Sequence, residues 1–308
     1  MTTQKVKERP VRRRGDVVFA GLSRGAGLLI LVALAGVAFF LTLQGIPGLT
    51  GGPDIYSGKS GFLSYVWPLV FGTVLAAVLA LLIATPLAVG VALVISHYAP
   101  RALSRTLGYV VDLLAAIPSV VYGLWGINLL APRLAVGYEQ LADHLGWLPF
   151  FAGPPATTGR TILTAGVVLA VMVLPIITAI TREVFAQTPL LHQEAALALG
   201  ATRWEMVRMA VFPYSRSGVV SATMLGLGRA LGETMAVAMV LSATGVVTFN
   251  LISSVNPSTI AANIALQFPE SSGERVNVLI ATGLVLFVVT FLVNFAARAI
   301  VARNRIKA

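Results

Sequence analysis

The sequence predicts an all-α integral membrane protein of about six membrane-spanning helices. Three observations carry this: apolar runs of membrane length, too few charges for a wetted surface, and a lopsided distribution of Lys and Arg between the runs. Of 308 residues, 57% are hydrophobic and 11% charged, against about 25% charged in soluble domains. Runs near 20 residues suffice to cross a hydrocarbon core of about 30 Å.

The first run, 26–46, follows a basic stretch, but it is longer than a signal peptide's apolar region and leads into Pro47 and a Gly-rich loop. It reads as an uncleaved spanning helix. Further spans are expected at 68–95, 108–131, 161–181, 217–243 and 277–299. Pro68 and Pro86 predict kinks in the second and Pro118 in the third, where each removes a backbone donor. Tyr65, Trp67, Tyr138 and Trp147 sit near span ends, as interfacial aromatics do. The segment 132–160 is expected to be either an amphipathic or a re-entrant element. The chain thus divides into a basic tail, 1–25, and a transmembrane domain, 26–308.

The net charge of +10 is spread between the apolar runs and accompanies no nucleic-acid motif, so no nucleic-acid partner is expected. Seventeen Lys and Arg fall on one side of the spans: Lys5, Lys7, Arg9, Arg12, Arg13, Arg14 and Arg24; Arg101 and Arg105; Arg182, Arg203, Arg208 and Arg216; Arg298, Arg303, Arg305 and Lys307. The other side has Lys59, Arg133, Arg160 and Arg275. Positively charged loops stay cytoplasmic, so both termini are expected there, with the basic tail touching anionic membrane lipid. Cysteine is absent, which excludes disulfides and thiolate chemistry. His97, His144 and His192 match no metal-ligand spacing and read as solvated loop residues. Asp112, near the inner end of the third span, is expected to pair with a loop arginine.

Between the fourth and fifth spans, the segment 182–216 reads as a cytoplasmic elbow. Glu194 to Leu199 favour a helix, Gly200 stops it, and Thr202 with Glu205 three positions on forms a capping box for a second helix. Trp204, Val207 and Val211 recur at helical spacing as an apolar docking face. This segment resembles the EAA loop of ABC importer permeases: Glu194-Ala195-Ala196, three residues, Gly200, nine residues, then Ala210-Val211-Phe212-Pro213. Ala210 and Phe212 are conservative departures from that pattern. The resemblance implies a type I ABC importer permease architecture, with Glu194, Ala195, Ala196, Gly200, Trp204 and Pro213 coupling the chain to an ATPase. No GxxxxGKS or GxxxxGKT phosphate loop occurs, so no cofactor is expected on this chain. ATP and Mg would be used by the partner ATPase.

The fifth span carries GLGRALGETMAVAMV, which on a continuous helix puts Arg229 and Glu233 on one face. Ionisable groups in a span are costly and mark a pathway or a pair. Arginine's fork suits an oxyanion. The two residues are therefore either a translocation site or a structural ion pair. Gly226, Gly228 and Gly232 beside them favour close helix packing. Ser119, Tyr122 and Asn128 in the third span either line the path or form interhelical hydrogen bonds.

RALGETMAVAMV and LLAAIPSVVYGLWGINLLAP, at 113–132, resemble the phosphate-specific ABC permeases, in particular their C-type subunit. The resemblance implies a bacterial plasma-membrane importer built from a second, A-type permease, an ATP-binding subunit dimer and an extracytoplasmic phosphate-binding protein, with phosphate as cargo. Permeases for phosphonate, sulfate or molybdate, and an ion-coupled secondary transporter, are the alternatives.

Overall fold

A computed structural model describes residues 14–305 and shows no strand among them. Lys5, Lys7, Arg9, Arg12, Arg13 and Lys307 lie outside the described residues. Helix α1 (Arg14–Gly45) runs through the expected first span and begins earlier than expected. Helix α2 (Phe62–Leu93) continues through a π turn, Val94–Tyr98. Helix α3 (Arg101–Ala115) stops before Pro118. Helix α4 (Ser119–Trp125), a π turn (Gly126–Leu130) and α5 (Ala131–Leu145) form one continuous rod. Then come α6 (Ile162–Ala186), α7 (Leu190–Ala198), α8 (Arg203–Met206), a π turn (Val207–Val211) and α9 (Phe212–Leu231). Short helices α10 (Met235–Val240) and α11 (Ile260–Gln267) precede α12 (Glu274–Arg305).

Five described helical stretches are long and apolar enough to cross a membrane. The expected fifth span is not among them, because 217–243 is broken at Gly232–Thr234 rather than continuous. The expected third span, 108–131, is likewise two helices and not one kinked one. Residue 117 precedes a proline, which disfavours helical backbone there, and Pro118 has an extended ψ of 141°. The expected kinks at Pro68 and Pro86 fall within a helix that stays continuous. Of the segment 132–160, the first half, 132–145, extends the α4 rod as α5.

The core is built on α2. Ala76, Ala80, Ala84, Ala88 and Ala92 recur every fourth residue and are all essentially buried. They form a smooth stripe against which α6 lays Ala165, Leu169, Met172, Val173 and Ile177. Small residues at this period let two backbones approach closely, the usual device where lipid removes the hydrophobic drive between helices. Gly166 of α6 deepens the contact, since a Cβ there would come within 2.9 Å of the Leu79 side chain. The opposite face of α2, with Leu63, Val78 and Leu82, is exposed and faces lipid or another subunit. Helix α9 adds Ala222, Leu227 and Leu231 to the same cluster, and α10 adds Ala236, Val237 and Val240.

Helix α1 stands outside this bundle, with no buried residue in its apolar window. It is tethered to α12 at its far end, where Gly45 lies against Ala281 and Gly48 against Asn277. Buried Tyr56 ties the turn, donating to the Gly48 carbonyl at 2.9 Å.

Ala84→Leu is expected to destabilise the bundle by about 1–3 kcal/mol through overpacking. The check is a lowered thermal midpoint of the detergent-solubilised protein, while Leu82→Ala, on the exposed face, leaves the midpoint near wild type.

Candidate functional site

Two helix breaks meet inside the bundle. At the first, the Ala116 and Ile117 amides close α3 by donating to the carbonyls three residues back, those of Leu113 and Leu114. The Tyr122 hydroxyl also donates to the Leu114 carbonyl at 2.9 Å. Tyr122 therefore bridges the break it follows. At the second, Gly232 ends α9, and the buried Glu233 accepts a hydrogen bond from the Ala236 amide at 3.1 Å through Oε1. A carboxylate at a helix start satisfies an otherwise orphan donor and complements the helix dipole. The other end of α10 is closed by Arg160, whose Nη2 donates to the Met239 carbonyl at 3.2 Å. Helix α10 is thus held between a buried carboxylate and a guanidinium.

Gly123 is where α4 and α10, the helices that leave the two breaks, come together. A Cβ there would stand 3.0 Å from both Ala236 Cα and Met239 Sδ, so a side chain would push α4 away from α10. Gly126 repeats this against Val168 and Val240.

Arg229 and Glu233 do not share a helical face, because the helix ends at Leu231 between them. The Gly-rich run and the competition of Glu233 for the next helix's amide explain the break. No ion pair joins them; the ion pair found among the described residues is Arg182–Asp112, at 3.3 Å. Arg229 is exposed in the last turn of α9, near the α10 break. Ser119 is half-buried at the first position of the α4 rod. Asn128 lies about three turns along the α4 rod from the first break, exposed, and donates to the Leu124 carbonyl four residues back. Gly226 packs on Ile177, whereas Gly228 has open space beside it.

The elbow takes the form its local chemistry dictates. Gly200 adopts φ +85°, and the Ala201 and Gly200 amides donate to the Ala196 and Leu197 carbonyls, the paired bonds of a Schellman stop. Thr202 and Glu205 then form the reciprocal capping box. Its second helix, however, runs directly into α9. Val207 and Val211 are fully buried, with Met206, against Ala92, Leu93 and Phe185. They anchor the elbow to α2 and α6, so the expected docking face of Trp204, Val207 and Val211 is corrected. The exposed apolar residues are Leu190, Leu191, Leu197, Leu199, Trp204 and Met209. Glu194, Ala195, Gly200 and Pro213 are also exposed, and Ala196 is half-buried.

Asp112 pairs with an arginine, as expected, but that arginine, Arg182, lies in the last turns of α6 rather than in a loop. His97 is not a solvated loop residue. It is half-buried in the π turn ending α2, edge-on to Phe185, with Nδ1 2.8 Å from the Ser96 hydroxyl.

Sequence reasoning missed Asn256. This fully buried side chain accepts from the Ile162 amide at 2.9 Å and lies 3.2 Å from the carbonyls of Arg160, Ser242 and Ser253. It pins the irregular segment 241–259 to the start of α6. Its partners on Arg160 and Ile162 are more than 90 positions away, so no local pattern announced it.

Residues 84–306 match the family described as binding-protein-dependent transport system inner membrane component. The chain belongs to that family. It is therefore a transport subunit of a multi-pass inner-membrane system. It is 48% identical to the phosphate transport system permease protein PstC 2 of Mycobacterium tuberculosis, over 96% of this chain and 94% of that protein. It is 43% identical to PstC of Mycobacterium leprae, over 94% of each, and 39% identical to PstC of Mesorhizobium japonicum, over 94% and 90%. Among solved structures, a bacterial ABC transporter involved in alginate import matches with a TM-score of 0.53 at 18% identity, over 93% of this chain and 98% of that one. The inward-facing methionine transporter MetNI matches at 0.50 and 20%, over 77% and 93%. These two share the fold of ABC importer permeases.

The Glu205 carboxyl is held below the usual carboxylate range by the Thr202 amide and hydroxyl. With a depressed folded pKa, the cap is fully present above the ordinary Glu pKa and is lost as pH falls through the lower folded value. Hydrogen exchange at the Thr202 amide should therefore speed up, relative to intrinsic rates, as pH falls through that value, and this acid dependence should vanish in Glu205→Gln.

Proposed function

We propose that this chain is one of two unlike permease subunits of an ATP-driven importer that carries inorganic phosphate across the bacterial plasma membrane into the cell. The observation that carries the reading is Arg229. It is a guanidinium without a carboxylate partner among the described residues, in the helical turn before the break at Gly232–Thr234, in a chain whose near-full-length relatives bear the name of phosphate permeases.

Broken helices inside a membrane generally mark a substrate path, where backbone not bonded within a helix can meet an ion. The α4 rod begins at Ser119, so its first amides and dipole favour an anion there. Glu233 adds little repulsion, because its carboxylate is engaged by α10. Arg229 supplies a fork for two phosphate oxygens, and Ser119, Tyr122 and Asn128 on the α4 rod are the further candidate contacts. The second, A-type permease would complete the path, and an extracytoplasmic phosphate-binding protein would deliver phosphate to the opposite end from the elbow.

The elbow 182–216 faces the cytoplasm in this reading, as do both termini. Its exposed Leu190, Leu191, Leu197, Leu199 and Trp204 dock on an ATP-binding subunit dimer, which uses ATP and Mg. Because Val207 and Val211 are locked to α2 and α6, a push on the elbow reaches the helix breaks through α9. Phosphonate, sulfate and molybdate are the competing cargoes, and an ion-coupled transporter the competing class; the latter has no use for an exposed apolar elbow.

Arg229→Ala is expected to leave assembly intact and cut phosphate import by about 10- to 100-fold, the worth of a lost charge-assisted pair of bonds. Arg229→Lys should also be poor, since it loses the fork. Uptake of radiolabelled phosphate into proteoliposomes holding the complete complex measures both. Undiminished uptake by the Ala variant removes this reading, and ATP-dependent uptake of labelled sulfate, molybdate or phosphonate by the wild-type complex with none of phosphate reassigns the cargo.

A further inference from the structure

Helices α2 and α3 lie as a hairpin that is closed at one end. The Ser104 hydroxyl donates to the Ile95 carbonyl at 2.7 Å, which fastens the start of α3 to the π turn that ends α2. Beyond that bond α3 packs on α6 rather than on α2, and its Gly108 lies under the Arg182 side chain. A groove of about 370 Å³ is left between α2 and α3. Pro86, Gly90 and Val94 form one wall and Leu107, Val110 and Val111 the other, and every residue that lines it is apolar. Val94 and Val110 are exposed, whereas Val111 and Ile95 are buried. A Cβ on Gly90 would meet nothing within 4 Å, so the space beside it is empty of protein.

The groove lies at membrane depth. Pro86 to Ile95 close the apolar run of α2 and rise about 13 Å along the helix axis, close to one leaflet, half of a hydrocarbon core of about 30 Å. Exposed Tyr98 follows at the shallow end, where interfacial aromatics stand. Arg101 and Arg105 come next, in the first two turns of α3. Both are exposed, and neither makes an ion pair among the described residues. No acidic residue occurs between Asp54 and Asp112, and Asp112 is engaged by Arg182. The hairpin therefore combines hydrocarbon-like walls with positive charge at the membrane surface. Basic pockets between membrane helices recognise anionic headgroups, and a slot without a hydrogen-bonding side chain suits an acyl chain, which needs none.

We propose that the groove between α2 and α3 holds one acyl chain of an anionic phospholipid, with Arg101 and Arg105 meeting its headgroup phosphate. The lipid fills the space that α3 leaves by packing on α6, and so supports α3 along the length that leads to the break before Pro118. The site rests on the membrane position of α2 and is independent of the cargo and of Arg229.

The test uses the complete complex in nanodiscs of mixed phosphatidylglycerol and phosphatidylcholine, with retained lipid counted by native mass spectrometry. The wild-type complex is expected to retain phosphatidylglycerol in preference to phosphatidylcholine. Gly90→Leu puts a side chain into empty space and should lower that retention at least about tenfold, because the acyl chain loses several buried methylenes. Arg101→Gln with Arg105→Gln should lower it about fivefold for each arginine, leaving phosphatidylcholine unchanged. The arginine pair is exposed and decides the matter alone should Gly90→Leu fail to assemble. The occupant is identified separately, since p-benzoylphenylalanine in place of Val94 should gain the mass of a phospholipid on illumination. Equal retention of both lipids in wild type and variants, with matching thermal midpoints, overturns the proposal and leaves only unselective annular lipid. Capture of another polypeptide at Val94 overturns it in favour of a protein contact.

Discussion

Hydrocarbon offers no hydrogen-bond partner, so a membrane helix can break only where protein or water takes up the backbone groups it releases. Much of this structure follows from having two such breaks. Tyr122 is placed to donate to the carbonyl exposed at the first. Glu233 takes an amide exposed at the second, and Arg160 closes the short helix beyond it. Asn256 does the same for the irregular segment that follows, holding four backbone groups with one side chain. Tyr122, Glu233, Arg160 and Asn256 thus each answer a backbone group left open where a helix stops or the chain is irregular.

These breaks need a frame that does not move with them. The alanine stripe of α2 against α6 provides it, because small side chains at a period of four leave no rotamers to rearrange and bring the backbones close. The elbow is anchored to the ends of the same two helices through Phe185, Val207 and Val211. It is continuous with α9, which ends at the second break. A displacement of the elbow thus reaches Arg229 along one helix, while α2 and α6 keep the position of the first break.

What the sequence made legible was local chemistry. Apolar runs of membrane length gave most of the spans, and the Gly200 stop and the Thr202–Glu205 box gave the elbow's turn, because these motifs complete themselves within a few residues. Pro118 predicted a disturbance, but not that the helix would part there. The break at Gly232–Thr234 stayed hidden because glycine is tolerated within a helix and Glu233 read as a partner for Arg229, when its partner is a backbone amide. Helical periodicity showed that Val207 and Val211 share an apolar face with Trp204, yet not that α2 and Phe185 cover it. Asn256 and Arg160 act on groups far away in sequence, beyond any local pattern.

The central claim is that the substrate path runs along the paired breaks. A chain without cysteine allows a direct test: a single Ser119→Cys at the start of the α4 rod, in the assembled complex, probed with a membrane-impermeant thiol reagent. The account predicts labelling that phosphate suppresses, and that switches between the two membrane faces when ATP hydrolysis is trapped. A thiol at Ser119 that is unreactive from both faces in every state, or labelled at the same rate with and without phosphate, would contradict it.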